Sequence, residues 1–259
     1  MSFSDQLRDS IKQSTLDYIG EAGIPTEKYN VVGSAVIFST DEASNKNFLP
    51  KTLNHINQHD DWKNRLSKVH SHFEDGTVEM ASSNSSDTLL MNIFCHPNFF
   101  KWGGPQKYLG FENAEPKFGW IPKVEASPRY TEVDMKLGST IYEAKLTEQG
   151  FNQKEKKRVL ERYPGVENIF DLDMLQNGDQ LLHYQLLRNI YVAEKKGLNF
   201  RLLCDYRRPD LLQGLFQTTQ AIVDHDLRQR VGFITWQEIA SFVGKDLKDF
   251  LRFKYGIIG

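Results

Sequence analysis

The stretch TEVDMKLGSTIYEAKL, residues 131–146, decides how this chain is read. In an extended strand alternate side chains share a face. Over residues 131–137 that rule sets Val133, Met135 and Leu137 on one face and Glu132, Asp134 and Lys136 on the other. Over residues 141–146 it sets Tyr142, Ala144 and Leu146 against Ile141, Glu143 and Lys145. Gly138-Ser139 suits a two-residue hairpin turn with glycine first. Such a turn puts Leu137 opposite Thr140, Met135 opposite Tyr142, Asp134 opposite Glu143 and Glu132 opposite Lys145. Directly opposed residues have Cβ atoms roughly 4.5–5.5 Å apart. The hairpin is therefore expected to turn its apolar face to the core and its charges to the other side. Two carboxylates stand there side by side, with a lysine one step along.

Like charges opposed in this way are destabilising unless something compensates. A hard divalent cation with oxygen ligands compensates well. Phosphodiester hydrolysis uses this set: a metal between carboxylates polarises the phosphoryl oxygen and acidifies a bound water. A nearby lysine stabilises the developing negative charge or orients the water. A plainer reading is a solvated amphipathic hairpin with a cross-strand ion pair. A short motif by itself leaves both open.

Outward from the hairpin, residues 179–196 carry Leu182, Leu186, Leu187, Ile190 and Val192 before Gly197 and predict a helix. Residues 199–206 predict a buried strand closed by Arg207-Arg208-Pro209. A helix over 211–223, a strand over 231–235 and a helix over 236–255 complete the C-terminal side. Upstream, Ser82 to Asp87 is rich in capping residues ahead of the apolar run 89–94, which predicts a short buried helix. Residues 97–129 contain Gly103, Gly104, Pro105, Pro116, Pro122 and Pro128 and read as a loop-rich excursion. Residues 3–19 predict a helix stopped by Gly20 and Gly23, and 29–40 a strand or extended arm. The polar stretch 41–76 holds four of the seven histidines. The order of strands and helices predicts a mixed α/β sheet.

The bulk numbers narrow the classes. The chain has 259 residues, 39% hydrophobic, with a formal net charge of −2. No whole-molecule basic field exists, so a polyanion must be held by a local patch. The N-terminal MSFSDQLRDSIKQS lacks the apolar core of a signal peptide. No run of 18 apolar residues is present, so no membrane span is expected. The two cysteines, Cys95 and Cys204, have no CxxC spacing, and Cys204 reads as a buried thiol. A reducing cytoplasm is the default location.

Glu132-Val133-Asp134 followed by Tyr142-Glu143-Ala144-Lys145-Leu146-Thr147-Glu148 resembles the PD-(D/E)XK nuclease superfamily, the fold of many restriction endonucleases. Asp134 matches its aspartate, and Glu143 and Lys145 match its Glu-X-Lys. The proline of the motif name is absent before Asp134. The segments at 82–94, 183–189, 204–211 and 235–238 resemble uncharacterised bacterial restriction-endonuclease-like proteins of the superfamily. The resemblance implies a restriction-endonuclease-like mixed sheet flanked by helices, with additional N- and C-terminal elements. It is read as one domain over 1–259, with its core at about 82–215. Residues 1–78 are an N-terminal extension and 216–259 add C-terminal elements.

The resemblance also implies a chemistry. Asp134, Glu143 and the backbone carbonyl of Ala144 bind Mg2+, with Mn2+ able to substitute, and Lys145 assists the water or the transition state. Gln185 joins the site from the following helix, with Arg188 and Asn189 one turn along. Glu79 is a candidate further metal ligand, while Asp87 reads better as a first-turn acid of its helix. The implied substrate is DNA, with RNA the alternative, cut to leave a 5′-phosphate in restriction or phage defence. A homodimer is compatible with this. Lys154, Lys156, Lys157, Arg158 and Arg162 form the candidate basic patch. Arg207 and Arg208 either touch phosphate or pair with Asp205 and Asp210. Two rival functions stay open: a nuclease fold that binds nucleic acid or a partner without cutting, and a zinc hydrolase built on His55, His59, His70 and His72. The histidines lack the cysteine or acid that completes a usual zinc set.

Overall fold

The computed structural model describes residues 1–39, 45–68, 78–111, 114–126 and 130–259. Helix α1 (Phe3–Glu21) starts from a capping box between Ser2 and Asp5 and buries Leu7, Ile11 and Ile19. It runs through Gly20 and ends before Gly23, whose backbone takes φ +60°. Strands β1 (Tyr29–Val32) and β2 (Ala35–Phe38) form an antiparallel hairpin. Two short helices follow in the polar stretch, α2 (Pro50–Ile56) and α3 (Asp60–Arg65). Helix α4 (Ser86–Phe94) begins where Ser85 Oγ accepts the Thr88 N–H at 3.1 Å, and all of its residues are buried.

The excursion over 97–129 is more ordered than its glycines and prolines suggest. It contains α5 (Gly103–Leu109) and β3 (Lys117–Trp120). The hairpin follows as β4 (Val133–Leu137) and β5 (Thr140–Ala144). A small second sheet comes next. Its strands are β6 (Lys154–Glu155), β7 (Gln176–Asn177) and β8 (Gln180–Leu181), with α6 (Lys156–Arg162) after β6. Helix α7 (Tyr184–Lys196) therefore starts later than its apolar period predicts, because Leu181 pairs with Lys154 and is held extended. The chain ends with β9 (Asn199–Cys204), α8 (Pro209–Gln220), α9 (His225–Arg230), β10 (Val231–Thr235), α10 (Trp236–Phe242) and α11 (Lys245–Tyr255). The expected single C-terminal helix is thus two, broken at Val243-Gly244, where the backbone is extended.

The main sheet has the order β10-β9-β5-β4-β3. Strands β3, β4 and β5 are an antiparallel meander, and β5, β9 and β10 run parallel. Helices cover both faces. Leu186, Leu187 and Ile190 of α7 share one core with Leu211 and Leu215 of α8 and with Phe200 and Leu202. Leu89, Leu90 and Ile93 of α4 share the other with residues of α1, α10 and α11 and with Tyr142 and Leu203. This is a mixed α/β sheet flanked by helices. Strand β5 lies at its centre and is buried along its whole length. The plainer reading of a solvated hairpin face does not hold, because this second layer buries it: Glu143 is 2% exposed and Lys145 5%. Parallel strands buried on both faces also explain the near-continuous apolar run in β9. Residues of α1 reach the rest of the fold directly, with Ser4 Oγ donating to the Thr147 carbonyl and Thr15 Oγ1 to that of Lys254. Among the described residues no helix is long and apolar enough to cross a membrane.

Candidate active site

The β4–β5 ladder keeps the register set by its turn as far as Met135↔Tyr142 and Leu137↔Thr140, with Gly138 at φ +56°. It then opens. Asp134 Oδ2 accepts the Ala144 N–H at 2.7 Å, in place of a strand carbonyl. Val133 packs in the core on the α7 side, while Met135 and Leu137 pack in the opposite one. The N–H and C=O of a strand residue point to the same edge. The Ala144 carbonyl therefore faces the gap where the strands part.

Glu143 sits deeper. Lys145 Nζ lies 3.3 Å from its Oε1 and Arg188 Nη2 3.4 Å from its Oε2, and Asn189 Nδ2 donates to Oε2. Lys145 Nζ also donates to Gln185 Oε1 at 3.0 Å. Gln185, Arg188 and Asn189 are spaced to share one face of α7, and that face meets the Glu-X-Lys strand. Helical spacing thus delivers three side chains to one carboxylate and its lysine. The Lys145 backbone is fixed as well: its N–H donates to the Leu203 carbonyl and its carbonyl accepts Trp236 Nε1 at 3.0 Å.

The expected cross-strand pair between Glu132 and Lys145 does not form. Because the ladder opens at Asp134, Glu132 turns instead to Arg65 at 3.2 Å and Lys68 at 3.1 Å. Both cations come from α3 and the residues just after it. The same two hold Asp87 Oδ2, at 2.9 and 3.0 Å, and Lys68 also pairs with Glu79 at 3.0 Å. Asp87 is 3% exposed, so the first-turn acid of α4 is a buried neighbour of the site. Arg65 and Lys68 were missed by sequence reasoning. Their signal, two cations three residues apart in a polar stretch, is common on solvated helix faces.

Asp134, Glu143, Ala144, Lys145, Gln185 and Glu79 all line one cleft of about 900 Å3. Burial holds the Asp134 carboxyl well above its usual range, and the nearby charges of Glu143 and Asp87 push it the same way. Burial alone would lower the Lys145 ammonium, but Glu143, Glu148 and Asp134 outweigh it and hold its proton more tightly than usual. The segment leaving β5 is tied down by two hydrogen bonds to Glu148, which accepts from Ser86 Oγ and from the Leu146 N–H, each at 2.6 Å. Arg208 is fully buried, donates to the carbonyls of Leu146 and Glu148, and pairs with Asp210. Arg207 pairs with Asp205. These two arginines follow their structural reading.

The other sequence candidates lie elsewhere. None of Lys154, Lys156, Lys157 and Arg158 lines the cleft, although Asn152 just before them does. Lys156 is engaged by Asp173 and Gln176, Arg158 by Glu155, and Lys154 lies 5.9 Å from the Tyr184 ring centre. Lys157 is exposed. His55 Nδ1 meets the Cys95 carbonyl at 2.8 Å, its Nε2 lies 3.3 Å from His59 Nε2, and His59 stacks on Trp62. His70 and His72 lie outside the described residues. Among the described residues no three His, Cys, Asp or Glu side chains are grouped as a metal-holding set. A cation in the cleft would therefore rest on two carboxylates and a backbone carbonyl. That all-oxygen set fits a hard ion, and the mutual repulsion at Asp134 is what such an ion relieves.

Residues 6–256 match the model of a family described as Restriction Endonuclease associating with ARP. The chain belongs to that family. No curated protein and no solved structure matches it significantly. The family assignment spans nearly the whole chain, from within α1 onward and including α2 and α3. The restriction-endonuclease family thus extends to the residues that supply Arg65 and Lys68.

Proposed function

We propose that this restriction-endonuclease family member is a metal-dependent nuclease of the PD-(D/E)XK type that hydrolyses phosphodiester bonds of DNA. The observation that carries the reading is the meeting of Asp134, Glu143 and Lys145 in one cleft. Asp134, Glu143 and the Ala144 carbonyl would hold Mg2+, with Mn2+ as a substitute. Bound there, the ion would polarise a phosphoryl oxygen and acidify a water. The remaining work falls to the chain. Lys145 keeps its ammonium charged beside the acids and presents it, braced by Gln185 Oε1, toward a phosphate in the cleft. A preorganised cation at that place stabilises charge that develops in the transition state. Arg188 and Asn189 hold Glu143 in one orientation. Asp134 would hold such an ion as the ionised carboxylate, since ligating carboxylates must be ionised.

The restriction-endonuclease family supports a nucleic-acid substrate, which we read as DNA, with RNA as the competing substrate. The family description names an association with ARP, and we extend to this chain the expectation of working beside such a partner in restriction or phage defence. Cys95 and Cys204 are free, buried thiols and suit a cytoplasmic setting. The reading is tested by incubating plasmid, linear duplex, single-stranded DNA and RNA with the purified chain in Mg2+, Mn2+ or chelator. Metal-dependent cleavage lost in Glu143→Gln supports it. Binding without cleavage in every metal supports a nuclease fold that only binds.

A further inference from the structure

Lys68 is placed like a metal ion. Its Nζ lies 3.0 Å from Asp87 Oδ2, 3.0 Å from Glu79 Oε2 and 3.1 Å from Glu132 Oε1. The three carboxylates come from separate places in the chain: the first turn of α4, the short turn before it, and the residue ahead of β4. The three oxygens converge on one cation from separate elements, although with Lys68 among them they form no metal-holding set. Here the cation is an ammonium. Arg65 seals the side away from the cleft, with its side chain 8% exposed and bonded to Asp87 and Glu132. The Lys68 side chain is 35% exposed and lines the same cleft as Asp134 and Asp87.

We propose that Lys68 stands in the place of a second metal ion, so that the chain holds a single divalent cation, at Asp134 and Glu143. The inference rests on the metal-dependent reading above. Its physical basis is charge and space. Glu79, Asp87 and Glu132 meet two resident cations, Lys68 and Arg65. One negative charge is left over, too little to draw in a divalent ion against an ammonium already at hydrogen-bond distance. Removing the ammonium reverses this. Glu79 would lose its ion pair with Lys68, and Asp87 would keep the one with Arg65. A hard cation then has three oxygen-bearing side chains around an emptied position beside Asp134.

Mn2+ binding to the intact chain, counted by electron paramagnetic resonance of the free ion and by calorimetry without DNA, tests this. Wild type should bind one ion per chain, and Asp134→Asn none. Lys68→Met should bind two. Lys68→Arg, which keeps a cation, should bind one, and Lys68→Met with Glu79→Gln should return to one. Two ions in wild type overturn the inference and leave the metal-dependent reading standing. One ion in a folded Lys68→Met, judged by its near-ultraviolet circular dichroism, also overturns it. No ion in wild type, or one unaffected by Asp134→Asn, overturns the metal-dependent reading itself.

Discussion

Asp134 Oδ2 accepts the backbone N–H of Ala144 at 2.7 Å, so one side chain ends the β4–β5 ladder and opens the edge on which the site is built. The carboxylate that parts the strands is the same one whose charge is resisted by Glu143 and Asp87. Geometry and electrostatics therefore converge on one residue.

Stability of the metal-free protein should fall with rising pH because of Asp134. Burial, with Glu143 and Asp87, holds its folded value well above the ordinary one, while the unfolded chain ionises near about pH 4. A group that binds its proton more tightly when folded lends stability below its unfolded value and loses it as pH rises through the folded one. Each unit between the two is worth about 1.4 kcal/mol. Thermal unfolding in chelator from mildly acid to neutral pH should show this decline in wild type. Asp134→Asn should flatten it and be the more stable at neutral pH, because the amide oxygen still accepts the Ala144 N–H. Parallel pH profiles in the two proteins would count against it.

Glu143→Gln should behave oppositely. Glu143 is 2% exposed and neutralises Lys145 and Arg188, whose side chains are 6% and 13% exposed. Breaking a buried pair by removing one partner costs roughly 3–5 kcal/mol, since a charge is left uncompensated. Chemical denaturation at neutral pH should show a loss near the lower end of that range, because the amide still accepts from Asn189. Two neighbouring carboxylates would thus move stability in opposite directions. A Glu143→Gln protein as stable as wild type would refute the role given to its cations.

The basic patch should split. Lys157 is exposed, whereas Lys156 is already engaged by Asp173 and Gln176. If long DNA runs past the cleft onto α6, Lys157→Glu should lower the slope of log affinity against log salt by about 0.9, because one phosphate is no longer neutralised. Lys156→Glu should change it less. An unchanged slope in Lys157→Glu would show that DNA leaves the protein by another face.

Much of this site was legible because it is local. A period of two over 131–146 and Gly138 in the turn account for the register as far as Met135 opposite Tyr142, beyond which the ladder opens and Asp134 turns to the Ala144 N–H. A period of 3.6 put Gln185, Arg188 and Asn189 on one helix face. Strand β10 lies where its apolar run predicts. What escaped the sequence depends on distant partners. Lys117–Trp120 is strand because β4 pairs with it, although Gly119 takes φ +59° and prolines flank it. Glu132 finds Arg65, sixty-seven residues away in sequence, and no periodicity records such a pair. The burial of Glu143 and Lys145 required knowing that α7 covers the hairpin's charged face and that β9 pairs along the outer edge of β5.

Lys145 is where a nuclease and a binding protein part company. Its ammonium is held between Glu143 and Gln185 at 3.3 and 3.0 Å, inside the cleft and charged. If it works in the transition state, its loss must lower rate more than affinity. The direct measurement is single-turnover DNA cleavage beside DNA affinity, in magnesium, for wild type, Lys145→Ala and Lys145→Arg. Removing one preorganised donor should slow cleavage on the order of 10²–10³-fold, with affinity nearly unchanged. Arginine should rescue poorly, since a planar fork does not reproduce a compact ammonium. Wild-type cleavage by Lys145→Ala, or equal losses in affinity and rate, would contradict the account.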